Sequence, residues 1–259
     1  MTQPDGRAPV SASTGFGNRQ VPTERRQGLV NAVFAAVAGR YDLMNDLMSG
    51  GLHRLWKDEL IATLNPPKSP QAFSLLDAAA GTGDVAVRFL AAGGPGCTAI
   101  LCDISPEMVR FGRTRLAELQ LALRGAYAIG NAEDLPFPDK SFDAYTIAFG
   151  IRNVTRIDRC LAEAHRVLKI GGRFLCLEFS ACEVPLLDRL YDFHSFEIIP
   201  RIAKLATGSD EAYRYLVESI RAFPNQRRLA DLVGAAGFAR SSYRNLSGGI
   251  AAIHSGWRV

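Results

Sequence analysis

The 259-residue sequence predicts an α/β protein built around a parallel sheet. Two observations carry that expectation. Short apolar runs closed by glycine or proline alternate with stretches whose apolar residues recur at helical spacing, and the first two such pairs stand directly in series. Hydrophobic residues make up 47% and charged residues 22%, enough to bury one large core at a length where single cores stop growing.

The elements follow in chain order. Residues 1–27 are rich in Ser, Gly, Pro, Thr and Arg and lack the apolar segment of a secretory signal, which predicts a flexible N-terminal tail ahead of one domain over 28–259. Between Arg25 and Leu64, the residues Val30, Val33, Phe34, Val37, Leu43 and Leu47 keep a helical period and predict a helical cap before the sheet. SLLDAAAG (74–81) is a strand entering a glycine turn, with a helix over about 83–92 behind it. TAILCD (98–103) is the next strand, and Ser105-Pro106 supplies an N-cap and a first-turn proline to a helix reaching about Leu121.

AYAIG (126–130) and FDAYTIAFG (142–150) are further strands, separated by the proline-punctuated loop 132–141. A helix over 157–168 ends at Gly171-Gly172, and RFLCLEFS (173–180) makes a fifth strand. Residues about 183–225 place Leu187, Leu190, Tyr191, His194 and Ile198 at helical intervals and predict an inserted helical lid. A helix near 226–236 and strands over 238–246 and 248–259 close the chain as α, β, β.

Composition narrows the function. The net charge of +4 comes from 30 basic and 26 acidic residues that are dispersed, without the dense basic patch of a nucleic-acid binder. No run approaches the ~18 apolar residues of a membrane-spanning helix. Five cysteines without C-x-x-C spacing point to buried free thiols in a reducing compartment and to no metal site.

The chemistry concentrates at Gly81-Thr82-Gly83, where a turn between strand and helix lets backbone approach a ligand, and at Asp103, 20 positions after Gly83, at the end of the next strand. A carboxylate there accepts ribose hydroxyls, so adenosine is the implied ligand fragment. On spacing alone Gly81 to Ala86 also satisfies the dinucleotide pattern G-x-G-x-x-A, and NAD(P) stays open.

LLDAAAGTGD (75–84) resembles the first motif of class I S-adenosylmethionine-dependent methyltransferases, and NAEDLPFPDKSFD (131–143) and RVLKIGGRF (166–174) resemble the motifs that follow it. The segments at 34–57, 149–155 (FGIRNVT), 191–202 and 213–226 are similar to the ubiquinone/menaquinone C-methyltransferase (UbiE-type) family, and the likeness covers nearly the whole chain after about Gly15. The resemblance implies a Rossmann-like sheet of seven strands with a final antiparallel strand, S-adenosylmethionine as methyl donor without a metal, and C-methylation of a polyprenylated quinol ring. It also implies a cytoplasmic protein that could sit peripherally at the inner face of the membrane, in an oligomer or a quinone-biosynthesis complex. A methyltransferase for another small apolar acceptor and a non-catalytic quinone-binding subunit are the rival readings.

Carried over position by position, the resemblance puts donor contacts on Thr82, Asp103, Asn131 and Ala132, gives Asp77 the methionine ammonium, and leaves Gly81 and Gly83 to shape the turn. Ala148 stands where a family serine is common, and Ala80 where the family turn has glycine, a place that needs only an ordinary negative φ. Arg152, just after the fourth strand, is placed to stabilise a phenolate and Asn153 to orient the ring or a water; a structural salt bridge from Arg152 to an acid on a neighbouring helix is the alternative. Asp42, Asp46, His53 and His194 are candidates to take the ring proton, although such histidines are more often packed or exposed. Tyr191, Phe193 and Phe196 are core residues or the walls of a channel for the polyprenyl tail.

Overall fold

In the computed structural model, which describes residues 13–16, 19–37, 46, 49–182 and 211–259, the apolar runs of the sequence become one seven-stranded sheet. A hairpin of β1 (Ser13–Phe16) and β2 (Arg19–Pro22) leads into α1 (Thr23–Val37), and α2 (Leu52–Leu64) precedes the sheet. Then come β3 (Phe73–Ala78), α3 (Asp84–Ala92), β4 (Cys97–Asp103), α4 (Pro106–Glu118), β5 (Gly125–Ile129) and β6 (Phe142–Ala148). A one-turn helix at Ile151–Asn153, α5 (Ile157–Val167), β7 (Leu168–Phe179), α6 (Glu211–Ala222), α7 (Gln226–Ala235), β8 (Ala239–Leu246) and β9 (Ala251–Trp257) complete the order.

The sheet runs β5-β4-β3-β6-β7-β9-β8, parallel except for β9, which is antiparallel to both neighbours. The first two β/α units march outward from β3, and the chain then returns to lay β6 on its other side. Crossovers leaving in opposite directions open a crevice at the carboxyl ends of β3 and β6, where open α/β sheets bind ligands.

Burial on both faces explains the near-continuous apolar strands. Leu75 on one side of β3 packs in a core with Trp56, Leu60, Phe89 and Leu116, while Leu76 on the other side joins Tyr145, Leu161, Phe174 and Leu229. Local signals set the helix starts: the Ser105 hydroxyl accepts from the Met108 N–H at 3.2 Å with Pro106 in the first turn, and Asn225 caps α7 through the Arg228 N–H at 2.9 Å.

Two expectations are corrected. Residues 13–16 and 19–27, assigned by composition to a flexible tail, form the hairpin and the start of α1. Their anchor is Arg26, which is 7% exposed and donates to the carbonyls of Gly15, Asn153 and Val154 at 2.7, 2.7 and 2.6 Å. At the other boundary α5 ends at Val167 rather than at the glycine pair, and β7 begins at once; the register jumps from Phe142↔Leu168 to Ala144↔Arg173, so Gly171 and Gly172 lie in an outward bulge closed by Arg258. Residues 1–12, Asp42, Leu43 and Leu47, and the lid over 183–210 with Tyr191, Phe193, His194 and Phe196, lie outside the described residues; α6 occupies the end of the expected insertion. No helix among the described residues is long and apolar enough to cross a membrane.

Candidate functional site

The turn from β3 to α3 uses left-handed backbone three times, at Ala79 (φ 48), Gly81 (φ 55) and Gly83 (φ 82). A Cβ on Gly83 would lie 2.4 Å from the Tyr127 hydroxyl and 2.7 Å from Leu101, so both dihedral and space require glycine there. Ala80 is not among the positive-φ residues, and its methyl is tolerated as expected. The alanine at 79 is the strained position, and Phe149 (φ 56), at the end of neighbouring β6, shares its conformation. Two such residues facing one crevice cost about 1–3 kcal/mol each, the kind of strain that functional sites hold.

Asp103 ends β4 beside this turn. Its Oδ2 accepts the Gly81 N–H at 2.7 Å and its Oδ1 the Ser105 N–H at 2.9 Å, and the side chain ties the glycine turn to the start of α4. Burial pushes its pKa up against the pull of these N–H groups. A carboxylate offers about four acceptor positions, so capacity remains for a ribose hydroxyl beside the backbone N–H groups. Tyr127 supports the turn from below, its hydroxyl donating to the Gly81 carbonyl at 3.3 Å. Around Asp103 opens a cleft at the carboxyl ends of the strands. Met108, Asn131, Ala132 and Asn153 line it, and Gln27 and Val30 of α1 bring the N-terminal segment to it. The Asn131 Oδ1 accepts the Glu133 N–H at 3.0 Å, which holds the loop after β5 against the cleft.

A second lobe of the crevice lies past the glycine turn, lined by Lys57, Asp77, Thr82, Asp84, Ala148 and Phe149. Asp77 and Thr146 are register partners on β3 and β6, and the Thr146 hydroxyl donates to Asp77 Oδ1 at 2.7 Å. Asp77 Oδ2 makes no hydrogen bond although the residue is 1% exposed. Burial pushes the Asp77 pKa up to about 7, opposed by Thr146, Lys57 and the nearby Ala86 N–H. Asp84 behaves oppositely: burial resists ionisation, but Lys57 at 2.9 Å, together with Arg88 and Arg115, holds its pKa at about 2.

Arg152 is placed differently from the ring-facing expectation. Its guanidinium and Glu178 are both 1% exposed and form an ion pair at 2.6 Å, and the same nitrogen donates to the Phe149 carbonyl at 2.6 Å. The salt bridge anticipated as the alternative is the arrangement found, with the acid on β7 rather than on a helix. Arg152 does not line either lobe of the crevice; it fixes the left-handed Phe149, which lines both. Asn153 does line the cleft, and the Tyr215 hydroxyl donates to its Oδ1 at 3.2 Å, leaving the amide nitrogen as a donor.

Of the candidate bases, Asp46 and His53 meet: His53 Nε2 lies 2.8 Å from Asp46 Oδ1. Burial lowers the His53 pKa against the pull of Asp46, which favours a neutral imidazole, and its Nδ1 has no hydrogen-bond partner. A carboxylate on one ring nitrogen fixes the tautomer and leaves the other as acceptor.

Several residues went unmarked in the sequence: Lys57, Tyr127, Thr146, Glu178 and Arg26. Lys57 left a signal, because it sits in the buried helical stripe His53, Trp56, Lys57, Leu60, Ile61, Leu64, where a charge is out of place. The other four sit in runs that look like ordinary strand, helix or polar tail.

The model of the ubiE/COQ5 methyltransferase family matches residues 20–258. Among curated proteins, the ubiquinone/menaquinone biosynthesis C-methyltransferase UbiE of Bradyrhizobium sp. (strain BTAi1) is 59% identical over 95% of this chain and 98% of its own length. The protein of the same description from Rhodopseudomonas palustris (strain HaA2) is 56% identical over the full length of both. Among solved structures, a SAM-dependent methyltransferase from Aquifex aeolicus superposes with a TM-score of 0.60 at 15% identity over 84% of this chain and 98% of that one. Phosphoethanolamine N-methyltransferase 2 of Haemonchus contortus, solved with S-adenosyl-L-methionine, gives 0.54 at 18% identity over 73% of this chain and 38% of that one.

Proposed function

This chain belongs to the ubiE/COQ5 methyltransferase family and has the class I methyltransferase fold, and from that premise we propose that it C-methylates a polyprenylated quinol ring with S-adenosylmethionine as donor. The observation that carries the donor assignment is the geometry of the crevice at the switch point. Asp103 and the buried, half-satisfied Asp77 flank a glycine turn that a Cβ at Gly83 would fill. The two carboxylates suit a ligand with ribose hydroxyls at one end and an N–H-donating ammonium at the other, a group that a nicotinamide dinucleotide lacks.

When bound, the donor supplies a methyl group on a sulfonium sulfur, which is electrophilic toward an electron-rich ring carbon. Asp103 would hold the ribose, Asn131 and Ala132 the adenine, and Asp77 and Thr82 the amino-acid end. Asn153 turns an amide donor toward the cleft, where it can hold a quinol oxygen in place. Arg152 acts as a positioning residue, holding Phe149 and the backbone that carries Asn153. The ring carbon forms the new bond as the sulfur–methyl bond breaks, and the ring then loses its C–H proton. That proton leaves to water: His53 is neutral and held by Asp46 at 2.8 Å, but it is buried and lines neither lobe of the crevice.

Purified protein incubated with methyl-labelled S-adenosylmethionine and either demethylmenaquinol or 2-methoxy-6-polyprenyl-1,4-benzoquinol should place the label on the quinone ring. Label recovered on neither ring, with labelled simple phenols in their place, would overturn the substrate assignment. Cells lacking the protein should accumulate the demethylated quinone, visible by mass spectrometry.

A further inference from the structure

We infer that Tyr215 is a positioning residue for the methyl acceptor: its hydroxyl decides which end of the Asn153 amide faces the cleft, so that N–H donors rather than an oxygen meet the ring oxygen. The inference rests on the acceptor reading above. It adds to that reading a residue of α6, which lies between β7 and α7, outside the β/α alternation that builds the crevice.

An amide side chain has two ends of nearly equal shape and opposite hydrogen-bonding character, and the torsion that exchanges them is soft. Packing alone does not choose between them; a neighbour with a proton to give does. Tyr215 is 4% exposed, and its hydroxyl lies 3.2 Å from Asn153 Oδ1. A phenol can also accept, so the direction of that bond needs a second argument. Burial pushes the Tyr215 pKa up, and the positive charges of Arg26 and Arg152 pull against it, which places both guanidinium groups within electrostatic reach of the hydroxyl. Cations draw the lone pairs of the oxygen toward themselves and turn its proton toward an acceptor, and Oδ1 is the end of the amide that accepts. Tyr215 lines neither lobe of the crevice, whereas Asn153 lines the cleft with Asp103 and Asn131, so the phenol acts through the amide.

The main chain of Asn153 is held as well as its side chain. Arg26 donates to the carbonyls of Arg152, Asn153 and Val154 at 3.2, 2.7 and 2.6 Å, and so answers the last carbonyls of the one-turn helix Ile151–Asn153. The Arg152–Glu178 ion pair ties the same turn to β7, and α1 and α6 pack on each other. With the backbone fixed, rotation of the amide is the freedom that remains, and the Tyr215 hydroxyl removes it. A donor that keeps its direction suits a ring oxygen that gains negative charge as its proton leaves, whereas an amide oxygen turned to the same atom would repel it.

Kinetics of labelled methyl transfer to the quinol that accepts the label, read beside calorimetry of S-adenosylhomocysteine, test the inference. Tyr215→Phe keeps the ring and removes the hydroxyl. It should lower kcat/KM for the quinol roughly 3- to 10-fold, the scale of one neutral hydrogen bond, and leave S-adenosylhomocysteine within about twofold. In an Asn153→Ala background the same change should cost less than about twofold, because no amide is left to orient. Asn153→Asp keeps an acceptor for the Tyr215 hydroxyl but loses the N–H donors, and should fall at least as far as Tyr215→Phe with donor affinity unaltered. An equal loss from Tyr215→Phe in both backgrounds, no loss in either, or donor binding that weakens in step with activity would overturn the role of Tyr215 and leave the methyl-transfer reading standing. Asn153→Asp with the kcat/KM of wild type would overturn the amide donor through which Tyr215 acts, and the inference with it. Wild-type protein that methylates neither demethylmenaquinol nor 2-methoxy-6-polyprenyl-1,4-benzoquinol would overturn the proposed function itself.

Discussion

Arg152 and Glu178 stand 2.6 Å apart with each side chain only 1% exposed, and the pair spends inside the fold a charge that its position after β6 would otherwise offer to substrate. Glu178 also accepts the Phe179 N–H at 2.9 Å, so the carboxylate is built into the strand end. Breaking such a pair strands a buried charge, and Arg152→Ala should therefore lower stability by about 3–5 kcal/mol. Replacing both residues, as in Arg152→Met with Glu178→Leu, should recover most of that loss. Denaturant unfolding of the single and double variants checks this. An Arg152→Ala protein of unchanged stability that binds donor yet fails to transfer methyl would return the guanidinium to the substrate.

Asp103→Ala should remove two supports at once, the proposed ribose acceptor and the clamp on the Gly81 and Ser105 N–H groups. Leaving polar ligand groups without their charged partner costs about 1–3 kcal/mol, and S-adenosylhomocysteine should bind roughly 5- to 100-fold more weakly. Calorimetry on a variant with a native unfolding transition is the measurement, and unchanged affinity would move the ribose elsewhere.

The parts of this site that were legible in sequence are those governed by short-range rules. The glycine turn, Asp103 and the Ser105 cap declare themselves through spacing and dihedral need, and all appear where expected. Arg26 was not legible, because its partners at Arg152, Asn153 and Val154 are 126–128 residues away and its own neighbours are polar. Arg152 was legible as important, with a salt bridge as its alternative role, but its partner was not, since only the pairing of β6 with β7 brings Glu178 beside it. The N-terminal hairpin misled for a related reason: composition reports what a segment could bury alone, whereas the buried Arg26 ties this one to the carbonyls of Asn153 and Val154.

Tyr127 links the glycine turn to α4, and a Cβ on Gly112 would fall 1.8 Å from its hydroxyl. Tyr127→Phe should therefore fold, lose about 1 kcal/mol for the missing bond to Gly81, and bind donor a few-fold more weakly through a looser turn. Gly112→Ala should fare much worse, because the ring has no room to retreat between α4 and the turn. Thermal unfolding of both variants tests the ranking, and a Gly112→Ala protein as stable as Tyr127→Phe would contradict this packing.

Asp77 sets stability against binding, and the sign follows from its raised pKa. Between the ordinary carboxylate value of 3.8 and about 7 the folded chain keeps a proton that the unfolded chain has released, so its contribution to stability falls as pH rises through that window. Above pH 7 the ligand-free protein bears the cost of an ionised, buried carboxylate, on the order of a few kcal/mol. Asp77→Asn removes the titration while keeping the shape, and Thr146 can still donate to the amide oxygen. The variant should gain stability relative to wild type as pH increases from about 4 to 7, with the difference level above that; comparing the two proteins cancels the titration of Asp103 and Glu178. Donor binding should show the reverse slope, because an ammonium calls for the ionised acid: wild-type affinity for S-adenosylhomocysteine should rise with pH up to about 7 and level off above it, and Asp77→Asn should be weak and flat across that range. Unfolding curves and calorimetry at matched pH decide the matter, and a variant that is both less stable at about pH 8 and unaltered in its binding profile would show that Asp77 is a fold residue rather than the anchor of the ammonium.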